Sequence, residues 1–142
     1  MLSDGSYTID VTIEGGSGRA TVKSPAELTV ENGYMQAKIE WSSPNYDYME
    51  IDGKEYYPIN DVGNSEFLID VVSLDSDIPI SAETVAMSQP HIIDYTLYFD
   101  SSTVKKEINS HVVTAFSIAG VVLAVTVVSV ILFRRKKSND KK

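Results

Sequence analysis

From Tyr7 the chain alternates. Tyr7, Ile9, Val11 and Ile13 are apolar, and Thr8, Asp10, Thr12 and Glu14 between them are polar. A period of two puts one set on a buried face and the other in water, so the spacing predicts a half-buried strand. Gly15-Gly16-Ser17-Gly18 predicts a turn into a strand over Arg19–Lys23. Leu28 and Val30 carry a short strand that stops at Glu31-Asn32-Gly33. Met35, Ala37, Ile39 and Trp41 alternate next. Tyr46–Ile51 and Lys54–Ile59 flank Asp52-Gly53, a strong hairpin signal. Phe67, Ile69 and Val71, then Ile80–Met87 and His91–Phe99, complete the set. No segment before residue 100 shows a 3.6-residue period. Eight or nine short strands in about 100 residues predict an all-β, immunoglobulin-like antiparallel β-sandwich.

The pattern then changes. Val112–Phe133 is 22 residues without a charge, 17 of them apolar. At about 1.5 Å per residue such a helix is roughly 33 Å long, enough to cross a bilayer core of about 30 Å. Arg134-Arg135-Lys136-Lys137 follows at once. The expected organisation is a β-sandwich ectodomain over residues 1–100, a polar stalk over 101–111, a single transmembrane helix over 112–133 and a basic tail over 134–142. The positive-inside rule puts the tail in the cytoplasm and the N-terminal domain outside the cell membrane. Met1–Gly5 already reads as domain edge, with neither a basic n-region nor an apolar h-region. An export signal upstream of Met1 is therefore expected. The alternative is a span that is itself the only insertion signal, leaving the domain in the cytosol. No Leu-Pro-x-Thr-Gly motif for cell-wall attachment precedes the span, which makes the lipid bilayer the expected anchor.

Charge sharpens this division. Residues 1–111 hold 6 Lys/Arg against 19 Asp/Glu, a net −13, whereas residues 134–142 hold 6 Lys/Arg against one Asp, a net +5. A domain this acidic is no nucleic-acid binder, because phosphate neutralisation needs clustered cations. With no cysteine in the chain there is no disulfide, CxxC redox site or thiolate metal site. The two histidines, His91 and His111, lie in no motif with a nucleophile. No catalytic constellation emerges, and the chain is not expected to be an enzyme.

Three segments carry candidate binding chemistry. The Gly15–Gly18 loop precedes Arg19, one of six cations in the N-terminal domain. It is either a plain hairpin loop or a cradle with Arg19 paired to an anionic ligand group. Tyr46, Tyr48 and Met49, with Tyr56 and Tyr57 on the partner strand, make a tyrosine-rich hairpin. Strict alternation puts Met49 and Ile51 on one face and Tyr46 and Tyr48 on the other. Those tyrosines either stabilise the sheet as cross-strand pairs or form a wall for a flat hydrophobic ligand. The loop centred on Pro90 brings Met87 and His91 close together. Thioether and imidazole are both heme-iron ligands, although a core methionine and a surface histidine would fit the same pattern.

Asp4-Gly5-Ser6-Tyr7-Thr8-Ile9, the Gly-rich turn before Arg19, Asn45-Tyr46, and Pro90-His91 leading into Tyr95–Phe99 together resemble two related groups of bacterial cell-surface domains. These are the Shp-type heme-binding domain and the NEAT (near-iron transporter) domain. The resemblance covers roughly residues 4–100 and is closer to the Shp-type group. It implies an immunoglobulin-like sandwich that hands heme between surface proteins and on to an ABC importer. NEAT domains typically offer a tyrosine pair at i and i+4 on a late strand; Tyr95 and Tyr98 here are spaced by three. Shp-type domains typically hold iron between two methionines, whose positions fall on His91 and Arg19. Arginine is no iron ligand, so the resemblance implies different ligation here: His91 alone, or His91 with Met87 or Met49. The expected heme-contacting residues are Arg19, Tyr46, Tyr48, Met49, Met87 and His91, with His91 and Met87 at the metal. The expected function is membrane-anchored heme capture or relay. The alternative is a cofactor-free surface interaction or adhesion module.

Overall fold

The computed structural model describes residues 1–108, all-β and without a helix. The expected transmembrane segment 112–133 and tail 134–142 lie outside the described residues. Eight strands are present: β1 (Gly5–Gly15), β2 (Ala26–Glu31), β3 (Tyr34–Glu40), β4 (Tyr46–Ile51), β5 (Lys54–Tyr56), β6 (Glu66–Val71), β7 (Ile78–Thr84) and β8 (His91–Lys106). They form one antiparallel sheet in the order β5-β4-β7-β8-β1-β2-β3-β6. In place of two separate sheets, the ladder runs unbroken and curls over on itself like a barrel.

The alternation read from the sequence decides what lies inside. Tyr7, Ile9 and Val11 of β1, Leu28 and Val30 of β2, and Phe67, Ile69 and Val71 of β6 are all buried. They meet Leu97 and Phe99 of β8 and Ile80 of β7 in a single cluster. Each large side chain so buried contributes about 1.5–3 kcal/mol. Residues 1–107 thus form a unit with its own core.

The seam of the curled sheet lies between its two end strands. The Asp70 N–H of β6 donates to the Tyr56 hydroxyl of β5 at 3.2 Å, and the Ile59 N–H donates to the Glu66 carbonyl at 2.8 Å. Lys54 Nζ lies 2.6 Å from the Asp70 carboxylate. That ammonium, with help from Gln36 and Tyr34, holds the Asp70 carboxyl below its usual range. A lowered folded-state value means the group stabilises the fold above the usual aspartate value of 3.8 and stops doing so as pH falls through the lower folded value. Lys54 is largely exposed, so the effect is small. Asp70→Asn should lower Tm by a few degrees at pH 7, and thermal melts should show the difference closing as the solution is acidified below 3.8.

Three expected strands differ in extent. Arg19–Lys23 forms only a single bridge, Val22 to Trp41. β5 ends at Tyr56, two residues before Pro58, which cannot donate to a ladder. β8 runs to Lys106, six residues past the expected edge of the domain, so the first part of the expected stalk is strand. Asp100-Ser101-Ser102 has the composition of a turn but forms a bulge. The Asp100 carboxylate accepts from the Ser102 N–H at 3.0 Å, Asp75 accepts from the Ser101 N–H at 2.8 Å, and the Asp10 N–H donates to Thr103 Oγ1 at 2.8 Å. Pairing then resumes with Thr8 opposite Lys105 and Tyr7 opposite Lys106. Ending the chain at Asp100 instead of Ile108 should cost about 2 kcal/mol. For a domain of this size that is about 8–16 °C in Tm, measurable by calorimetry.

Candidate functional site

At one end of the barrel the core closes in a cluster of buried aromatic side chains. This end is built by the end of β3, the start of β4, the β7–β8 hairpin and the loop after β1. Ser65, a buried polar residue, ties the first two together. Its carbonyl accepts from the Trp41 N–H at 2.9 Å and its hydroxyl accepts from the Tyr46 N–H at 3.1 Å. The indole of Trp41 therefore stacks on Tyr46, with centroids 4.0 Å apart and planes 16° from parallel. Tyr95 of β8 meets the same indole edge-on at 5.2 Å. The Tyr46 and Tyr95 hydroxyls lie 3.1 Å apart and hydrogen-bond to each other. Trp41, Tyr46 and Tyr95 are 1%, 7% and 5% exposed. Burial first, and the Tyr46 hydroxyl second, push the Tyr95 hydroxyl well above the usual tyrosine range. It is a neutral phenol, costly to ionise. The buried Trp41 Nε1 has no hydrogen-bond partner among the described residues.

A bulge in β4 sorts the tyrosines. Tyr46 pairs with Thr84 while Tyr48 pairs with Glu83, leaving Asp47 as an extra residue. The extra residue reverses the alternation, so Tyr46 and Met49 both point inward although three apart. This corrects the expected single wall. Met49 is fully buried, with its Cα opposite Ala82 and Tyr56, and is a core residue with no access to a ligand. Tyr48 stays outside, donating to Glu55 at 3.0 Å and meeting Tyr57 edge-on at 5.7 Å. Neither belongs to the end where Tyr46 lies.

The β1–β2 loop closes over Tyr95 because it is glycine. A Cβ at Gly15 (φ 128°) would lie 2.6 Å from the Asp94 carbonyl, which forbids any side chain there. A Cβ at Gly16 (φ 60°) would lie 3.2 Å from both the Ile93 methyl Cγ2 and the Tyr95 ring. The Gly16 backbone thus lies close against Ile93 and Tyr95, and Arg19 stands exposed three residues on.

The lip opposite is the β7–β8 hairpin. Tyr46, Thr84 and His91 form one cross-strand row. His91, Ile93 and Tyr95 share a face of β8 by strand alternation and run from exposed through half-buried to buried. His91 Nδ1 lies 2.8 Å from the Gln89 carbonyl oxygen. Met87 is 66% exposed at the tip. Of the expected contact residues, the structure therefore brings Tyr46, His91 and Met87 to one end, with the loop that carries Arg19 beside them. Sequence reasoning missed Trp41 and Ile93 as parts of this end, although it singled out the loop that contains Gly16. It noted Tyr95 without its partner. The usable signal was the four-residue spacing of His91 and Tyr95, which places both on one strand face.

A larger groove, about 700 Å³, lies on the outer face of β1, β8, β7 and β4. It is lined by Glu14, Glu50, Asp52 and Asp94, none of them in an ion pair among the described residues. Its charge disfavours any anionic ligand. On the flank of the aromatic end, Glu83 lies beside Asp47, whose hydrogen bond raises the Glu83 pKa. The side toward Arg19 is the one favourable to an anion.

No protein-family model matches the sequence, and no curated protein does. Solved structures do match. The NEAT5 domain of IsdX2, a B. anthracis hemophore, in complex with heme aligns over 69% of this chain and 97% of its own length, at 17% identity and a TM-score of 0.56. A mutant of the same domain, also in complex with heme, aligns over 70% and 97%, at 18% identity and a TM-score of 0.57. The fold is that of a NEAT domain. Both structures are of NEAT domains, one of the two groups that the sequence resembles; the i, i+4 pair on β8 here is His91 and Tyr95.

Proposed function

We propose that this domain binds heme at the aromatic end and that its NEAT fold serves heme capture or relay at a cell surface. The observation that carries the reading is the placement of an exposed imidazole, His91, on the strand face that runs through half-buried Ile93 to Tyr95, against which the Gly16 backbone packs. The donor set fits the group. His91 would supply an imidazole nitrogen to the iron, and the exposed Met87 thioether a second, softer donor. Ile93 and the Gly16 backbone would offer the ring apolar surface. Arg19 would pair with propionates, while Asp47, Glu83 and the acidic outer groove would repel them. Bound heme would supply the iron.

The structural neighbours solved in complex with heme support this reading. The uncharged stretch 112–133 is the proposed bilayer anchor, with residues 134–142 inside the cell. Surface heme-relay proteins or an ABC importer are the proposed recipients. Titrating the purified domain with hemin tests the central point. A Soret shift saturating at one heme per chain is expected. No spectral change across a micromolar titration would leave the cofactor-free interaction module as the reading.

A further inference from the structure

Gln89 and His91 stand on either side of Pro90, whose ring fixes φ and so limits how the hairpin tip can swing. Across that proline the His91 ring turns back onto its own loop, with Nδ1 2.8 Å from the Gln89 carbonyl oxygen. A carbonyl only accepts, so Nδ1 carries the hydrogen in this bond. The neutral ring then has its lone pair on Nε2. That nitrogen makes no hydrogen bond among the described residues, and His91 is exposed. A free histidine side chain favours the opposite form, with hydrogen on Nε2. The loop therefore works against the intrinsic preference and presents a bare donor atom in a fixed direction, the task that a hydrogen-bond partner on the other ring nitrogen performs for metal-binding histidines.

We infer that the Gln89 carbonyl is a positioning group that makes His91 Nε2 the iron ligand, and that the domain consequently keeps heme in both the ferric and the ferrous state. This rests on the heme reading above. The physical reason lies in the donor. A neutral imidazole is a borderline ligand that suits both iron charges, whereas a phenolate is a hard anion whose hold on iron weakens when the iron gains an electron. The tyrosine nearest along this face, Tyr95, has its hydroxyl occupied by Tyr46 at 3.1 Å. Reduction adds one electron to iron and leaves the bond from Nε2 in place. Release of the cargo is then set by a recipient's competing ligand and not by the redox state of the surroundings.

Two measurements test this separately. Residues 1–108 contain His91 as their sole histidine. A long-range proton–nitrogen NMR spectrum of that 15N-labelled, heme-free unit at pH 8 therefore reports one ring. The Nδ1–H form should dominate, and Pro90→Gly should shift the ring toward the Nε2–H form. A dominant Nε2–H form in the unaltered domain would overturn the positioning role. In the second measurement the hemin-loaded domain is reduced with dithionite and passed through a desalting column. Heme should stay with the protein, while the His91→Tyr variant should lose at least about tenfold more on reduction than when ferric. Loss of heme from the unaltered domain on reduction would overturn the redox claim. Failure of hemin to bind at all would sink the heme reading, and the redox claim with it, whatever the tautomer.

Discussion

His91→Ala lowers hemin affinity by about a hundredfold, the upper range for losing an interaction that fixes a metal, and leaves the fold intact. The side chain is exposed and its only hydrogen bond among the described residues is to its own loop, so the domain loses no core contact with it. Met87→Ala has a smaller effect, a few-fold, because the thioether is an optional second donor on a 66% exposed tip. Met49→Ala has a different signature. It removes a fully buried core side chain, lowering Tm by way of a cavity while leaving the heme spectrum of the folded fraction unchanged. Absorbance titrations, with circular dichroism to confirm folding, separate the three variants. An affinity for His91→Ala equal to that of the unaltered domain would place the iron elsewhere.

The largest effect on stability falls on Trp41. It is 1% exposed, stacks on Tyr46 and meets Tyr95 edge-on. Trp41→Ala removes the area of the indole and opens a cavity under both tyrosines, a loss of about 3–5 kcal/mol. Against a typical domain stability of about 5–15 kcal/mol, that leaves the protein marginal. The cavity also lies beneath the surface proposed to carry heme, so the folded fraction should bind hemin more weakly. Chemical denaturation gives the first quantity, through a shift in midpoint at constant slope. A loss below about 1 kcal/mol would mean that the aromatic cluster is not the keystone of this end. Tyr48→Ala, on the outer face of β4, is the control and should cost far less.

These residues also show which parts of the architecture were legible in the sequence. The alternation in β1, β2, β3 and β6 survived as burial because a period of two needs no partner to be read, and the Asp52-Gly53 hairpin turned as its composition required. The β4 bulge was hidden. One extra residue, Asp47, reverses the side on which every neighbour lies, and nothing in Tyr46–Ile51 marks it. Met49 and Tyr48 were misplaced for that reason alone. The far end of β8 was hidden for the opposite reason: Asp100-Ser101-Ser102 looks like a turn, and only long-range hydrogen bonds from Asp10 and to Asp75 make it a bulge within a strand. The hydroxyl pair of Tyr46 and Tyr95 joins residues 49 apart, beyond the reach of local pattern. The position of His91 was legible because Pro90 marks the strand start, but the carbonyl that orients its ring was not.

A resonance Raman spectrum of the hemin-loaded, dithionite-reduced domain tests the central claim most directly, since it reports both that heme is bound and which atom holds the iron. The iron–imidazole stretching band comes from five-coordinate ferrous heme, so it is read in Met87→Ala, where the second donor is gone: a band there, absent once His91→Ala is added, is the predicted result. Bound heme in Met87→Ala whose spectrum lacks that band, or is unchanged by adding His91→Ala, would contradict the account, as would a protein that carries no heme into the measurement at all.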